Sequence, residues 1–221
     1  MTTSSRARVT LAALALTGLT LATTTAGISQ ASATPTTSGS STASTATAGK
    51  PITSFPIAKG LPKADGHITR WGPTTGLKAA HRLSFCGTQV MPGKGATQSL
   101  TAGAEDPQAS SIRTLVHYST AKAATRAQNR VARVARTCGQ TSKKLNVGFV
   151  TAKTGAPSLT VTRTWDYSVG FKIDQVSRSG RWLLLVSTTS NEGSTDDVAS
   201  YVKATSRTSR SLVRHLSSLA R

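Results

Sequence analysis

Carboxylates are scarce in this sequence. Asp and Glu make up 8 of its 221 residues, against 27 Lys and Arg. Reactions that need two carboxyls across a cleft, such as glycoside hydrolysis, therefore have few residues to draw on. Glu105-Asp106 runs into Pro107 and reads as a turn, and Asp196-Asp197 reads as helix capping. Asp166 and Asp174 fall on neighbouring predicted strands, where they can face each other or pair with Arg163 or Lys172. Cysteine is scarcer still: Cys86 and Cys138 are the 2 present. That excludes a Cys-rich zinc site and a C-x-x-C dithiol. None of the 4 histidines, His67, His81, His117 and His215, has a ligand-like partner three or four residues away, so no metal and no cofactor is expected. Aromatic residues amount to 5% and are missing from the basic stretches. Stacking platforms for single-stranded nucleic acid need them there, so specific nucleic-acid recognition is not expected.

Long apolar runs are also missing, with one exception at the N-terminus. Arg6 and Arg8 precede an apolar stretch from Val9 to Leu21, and Ala31-Ser32-Ala33 offers a small-residue cleavage site. This is the three-part pattern of a secretory signal peptide over 1–33. The stretch is short and threonine-rich for roughly 30 Å of hydrocarbon, so cleavage without a remaining transmembrane anchor is expected. Residues 34–54 are Thr, Ser, Ala, Gly and Pro with one charge, a composition that buries too little to fold, and they read as a flexible linker. Residues 55–221 are enough for a single domain with its own core. Setting aside Arg6, Arg8 and Lys50 leaves 24 of the 27 bases against all 8 acids, a domain charge near +16. A secreted protein of this charge is drawn to polyanions: an anionic envelope polymer, a lipid headgroup or a small anionic ligand.

The stretch "SFCGTQVMPGKG" (Ser84–Gly95) raises three chemistries at once. As a phosphate loop it fails, because Thr88 stands where the first glycine belongs and Gly95 where Ser or Thr belongs. As a redox or nucleophilic site it lacks a neighbouring thiol or base. An even cysteine count in an oxidising compartment favours a Cys86–Cys138 disulfide. Closing that loop is worth about 4 kcal/mol in the chain-entropy model.

The domain reads as α+β, an antiparallel sheet with two amphipathic helices packed on one face. Ser119 to Thr137 carries Ala124, Ala127, Val131, Val134, Ala135 and Cys138 on one helical face, with Ser119 or Thr120 as cap and Gly139 as stop. Residues 145–189 read as strands joined by tight turns, and "RWLLLVSTT" (Arg181–Thr189) suits a central strand covered on both sides. Phe55 to Leu83 reads as an irregular arm anchored by Trp71 and Leu77. Thr195 to Arg221 reads as a second helix, opened by a capping-box-like Ser194/Asp197 pair.

Both helices carry basic stripes. Arg126, Arg130 and Arg133 lie on the first; Lys203, Arg207, Arg210 and Arg214 lie on the second. Such stripes are either a solvated surface or polyanion contacts. The absence of Glu partners at i,i+4 supports the second reading. Trp165, Phe171 and Trp182 either line a pocket on the sheet or belong to the core.

The segments "FPIAKGLP" (Phe55–Pro62), "FCG" (Phe85–Gly87), "YSTAKAA" (Tyr118–Ala124), Cys138 and "RSGRWLLLVSTTSNEG" (Arg178–Gly193) resemble secreted actinobacterial proteins with a sensor-like domain, similar to the extracellular domain of receptor serine/threonine kinases of the PknH type. The resemblance implies a mixed α/β ligand-binding domain and transfers no binding residue. The sequence reading is therefore a secreted, non-enzymatic, monomeric ligand-binding domain with an anionic envelope partner. Its alternatives are a secreted envelope-polymer hydrolase and a structural envelope protein.

Overall fold

The computed structural model describes residues 52–165 and 170–219. The expected signal peptide, the linker up to residue 51, Asp166 and Arg221 lie outside the described residues. Ile52–Ser54 forms a single 3-10 turn, and Ile52 packs on the core.

Among the described residues nine strands follow in chain order: β1 (Thr69–Thr75), β2 (Leu83–Phe85), β3 (Thr88–Met91), β4 (Ala96–Glu105), β5 (Ala109–Tyr118), β6 (Leu145–Val150), β7 (Ser158–Trp165), β8 (Phe171–Ser179) and β9 (Trp182–Ser190). Helix α1 (Ala121–Thr141) lies between β5 and β6, and α2 (Val198–Leu219) follows a 3-10 turn at Thr195–Asp197. Seven strands make one antiparallel sheet in the order β1-β4-β5-β9-β8-β7-β6, and β2–β3 is a separate hairpin. The class is α+β, with one disulfide joining Cys86 and Cys138.

The apolar run predicted to be central is central. β9 is the fourth of the seven strands, and Trp182 to Ser187 are all buried. Its alternation decides the layers, because successive side chains of a strand point to opposite faces. Leu183 and Leu185 join Val116, Val176 and the α1 residues Ala124, Val131 and Ala135. Trp182, Leu184 and Val186 join Leu100, Leu115 and the α2 residues Leu212, Val213 and Leu216. The helices therefore cover opposite faces, which corrects the expectation of both on one face. A central strand apolar at five successive positions, Trp182 to Val186, needs a cover on each side.

Both helix starts follow the sequence reading, and the end of α1 departs from it. α1 is capped by Thr120, whose hydroxyl accepts from Ala123 N–H at 3.0 Å, and it runs through Gly139 to Thr141. Gly139 is required by packing: a Cβ there would lie 2.9 Å from Val147 Cβ on β6. At α2 the Asp197 carboxylate accepts from Ser194 N–H and Ser194 Oγ, both at 3.0 Å, in the manner of a capping box.

Each face carries an additional segment. On the α2 face, Phe55, Ile57 and Leu61 pack against the core. The buried Arg113 guanidinium on β5 ties this arm down by donating to the carbonyls of Ile57 (3.1 Å), Lys59 (2.5 Å) and Gly60 (3.3 Å). Leu77, expected as an anchor, is 37% exposed, whereas Trp71 lies against Gly103 of β4. On the α1 face lies the β2–β3 hairpin. Cys86 (φ 46°) and Gly87 (φ 77°) are its two loop residues, both left-handed as a tight hairpin turn demands. The disulfide fixes this tip to the last turns of α1.

Candidate functional site

The hairpin packs along α1, and the Gly93–Gly95 turn that follows it forms a groove with the helix. The hairpin tip is held at Cys138, and its buried Val90 and Met91 pack against the helix core. At the other end, Ser119 N–H donates to Gly95 O at 2.9 Å. A Cβ on Gly95 would sit 3.2 Å from Ala123 Cβ, so glycine lets the Lys94 turn approach the helix closely. Between them, Arg130 Nη2 donates to Gln89 O at 3.3 Å.

The resulting groove has a volume of about 950 Å³ and is lined by Lys94, Arg126, Arg130, Arg133 and Arg136, with no acidic residue in the lining. All five cations are exposed. Arg136 also sits over the Phe149 ring at 5.1 Å. Helical spacing sets the row: positions 126, 130, 133 and 136 fall on one side, and span about 15 Å at 1.5 Å per residue. All four of these arginines follow from the sequence pattern. Lys94 does not, because nothing local in "MPGKG" places that turn beside the helix.

The stripe on α2 is arranged differently. Lys203, Arg207, Arg210 and Arg214 are exposed, and Arg210 and Arg214 line a second groove of about 600 Å³ against residues 154–156. Arg210 is partly committed there, since its Nε and Nη2 both donate to Lys153 O, at 3.2 and 2.7 Å.

The three aromatic candidates do not line either groove. Phe171 is fully buried and packs edge-on to Tyr201 at 4.8 Å. Trp182 is buried, packs against the tilted ring of His117 at 4.4 Å, and donates from Nε1 to Leu219 O at 3.3 Å. Trp165 ends β7 with its side chain partly exposed.

A polar cluster lies beneath the hairpin on the α1 face. Arg163 pairs with Asp174, donates from Nη1 to Ser84 O at 3.0 Å, and lies over the Phe85 ring at 4.6 Å. Ser187 Oγ donates to the other Asp174 oxygen at 2.8 Å. Of the partners left open by the sequence for Asp174, the structure selects Arg163. His81 and Lys172 border the cluster, and both have lowered pKa values. Burial is the main cause for each; Lys172 and Arg163 add to it at His81, and Arg163 adds to it at Lys172, while Asp174 opposes the shift at both.

No protein-family model and no curated protein matches the chain. Among solved structures, it is similar to the extracellular domain of PknH from Mycobacterium tuberculosis at 15% identity, over 66% of this chain and 85% of that one, with a TM-score of 0.42. A likeness at that level carries no argument about what this chain does. No helix among the described residues is long and apolar enough to cross a membrane.

Proposed function

We propose that this protein is a secreted, non-enzymatic domain that binds a linear anionic polymer of the cell envelope in the groove between α1 and the Gly93–Gly95 turn that follows β3. One observation carries the reading: Lys94, Arg126, Arg130, Arg133 and Arg136 converge on a single groove whose lining holds no carboxylate. Unpaired cations gathered in a concavity raise the local concentration of a polyanion more than the same charges spread over a convex surface. Among the described residues the one ion pair is the buried Arg163–Asp174 pair, so no described acidic side chain competes for these cations.

The groove also favours a chain over the other anionic partners. It follows the helix axis, as a polymer would, whereas a lipid surface is flat. It has no aromatic lining on which bases could stack.

Isothermal titration of the oxidised protein with inorganic polyphosphate tests this. Tight binding at low salt is expected, weakening roughly a few hundredfold between about 50 and 200 mM salt if all five cations contact phosphate. A variant with Gln at Arg126, Arg130, Arg133, Lys203, Arg207 and Arg214 should retain its helices, because Gln is a good helix former. It should bind at least a hundredfold more weakly. A folded variant that binds as tightly as the wild type would overturn the reading.

A further inference from the structure

We infer that the domain carries a second, independent site for the same polymer on the opposite face of its sheet, so that one molecule joins two polymer chains. The inference rests on the polyanion reading above and adds valency to it.

The basis is the layer order. Leu183 and Leu185 of β9 face α1, and Leu184 and Val186 face α2. The basic stripe of each helix points away from the sheet, so the two stripes look in opposite directions. The second stripe has its own concavity, with Arg210 and Arg214 at the groove beside residues 154–156 and Lys203 and Arg207 continuing along the helix. Neither α1 nor α2 contains a single Asp or Glu. Two helix diameters of about 10 Å on either side of a sheet about 10 Å thick separate the outer surfaces by roughly 30 Å.

The acids reinforce this division. Glu105 and Asp106 lie at the β4–β5 turn, and Glu192, Asp196 and Asp197 lie on the connection from β9 to α2. The two loops adjoin, since Asn191 N–H donates to Gln108 O at 2.7 Å and Asn191 Nδ2 to Pro107 O at 3.2 Å. A chain passing from one face to the other around this end would meet five carboxylates. The competing path runs past Arg178 and Arg181 at the β8–β9 turn, and it would let a single chain wrap the domain. A flat bilayer cannot contact both faces of one molecule.

The full oxidised chain would be titrated with short-chain polyphosphate for stoichiometry and with long-chain polyphosphate for particle growth by dynamic light scattering. The variants are R126Q/R130Q/R133Q and K203Q/R207Q/R214Q, with circular dichroism to confirm folding. The wild type is expected to bind two short chains and to form growing particles with the long polymer. Each triple variant is expected to bind one short chain and to form none. One short chain per wild-type molecule, or binding of the long polymer without growth, would overturn the inference in favour of single-site or wrapped binding and leave the polyanion reading standing. No binding of either polymer would overturn both, as would clustering of phosphatidylglycerol vesicles without any polyphosphate binding.

Discussion

Arg163 on β7 and Asp174 on β8 form an ion pair in which the carboxylate is completely buried. Asp174 lies close to two cations, Arg163 and Lys172, and it also accepts from Ser187. Replacing it with Asn keeps the shape and leaves both cations without a counter-charge. Breaking a buried pair from one side typically costs about 3–5 kcal/mol. Asp174→Asn should lower the unfolding free energy by about that amount, as read from the urea midpoint. The double variant R163M/D174L should recover much of the loss, because no half of the pair is then left behind.

The Cys86–Cys138 disulfide fixes the hairpin tip to α1 across 52 residues of chain. Removing it with C86S/C138S should cost about 4 kcal/mol, the chain-entropy value for a loop of this size. The serine introduced at the hairpin tip would also have to keep the left-handed conformation that the cross-link now holds. The Gly93–Gly95 turn that walls the basic groove follows directly on this hairpin, so polyphosphate affinity should fall with stability. A variant with normal stability and normal affinity would show that the cross-link shapes neither the fold nor the groove.

The disulfide and the central strand can be read from residues alone because each rests on a local signal: an even cysteine count, and an unbroken apolar run. β9 even carries the answer to the helix placement. A strand apolar on both sides calls for a layer on each, and placing both helices on one face leaves Leu184 and Val186 without a helical cover. Other elements give weaker signals. β4 has Leu100, Ala102 and Ala104 as its buried row on the α2 face. Apart from Leu100, the small residues of this row differ little in hydropathy from the Ser99, Thr101 and Gly103 that alternate with them, so the pattern marks no strand there. Gly139 reads as a helix stop for as long as the position of Val147 is unknown. The groove is half legible: helical spacing aligns the arginines of α1, but only the tertiary fold brings Lys94 to them.

Acid should destabilise the fold through its histidines. His81 is held below its ordinary pKa by burial and then by Lys172, with Arg163 adding to the effect and Asp174 opposing it. His117 is held below by burial and then by Arg181. The unfolded chain takes up protons at these positions near pH 6.5, whereas the folded chain does so only at lower pH. As pH falls through about 6.5, the unfolded state therefore binds more protons and stability is lost. Urea midpoints measured from about pH 8 to pH 5 should decline below about pH 7. His81→Gln should flatten part of that decline, and H81Q/H117Q more of it. An unchanged slope in both variants would assign the acid sensitivity to other groups.

Arg113 is a buried cation that donates to three carbonyls, those of Ile57, Lys59 and Gly60. Burial, and then the nearby Arg70, push its pKa down to about 10, so it stays charged at neutral pH. Its cost of burial is offset by fixing residues 57–60 over the sheet, where Phe55, Ile57 and Leu61 complete the core on the α2 face. Hydrogen bonds from a charged donor contribute about 1.5–3 kcal/mol each at most, and three that share one guanidinium contribute less than their sum. Arg113→Ala should therefore destabilise the fold by about 3 kcal/mol and loosen the arm before the sheet unfolds. Limited digestion with trypsin would detect this as early cleavage after Lys59 and Lys63, with the rest of the domain still resistant. If the arm stayed protected while global stability fell, Arg113 would be supporting the sheet itself, and the arm would be held by its apolar contacts alone.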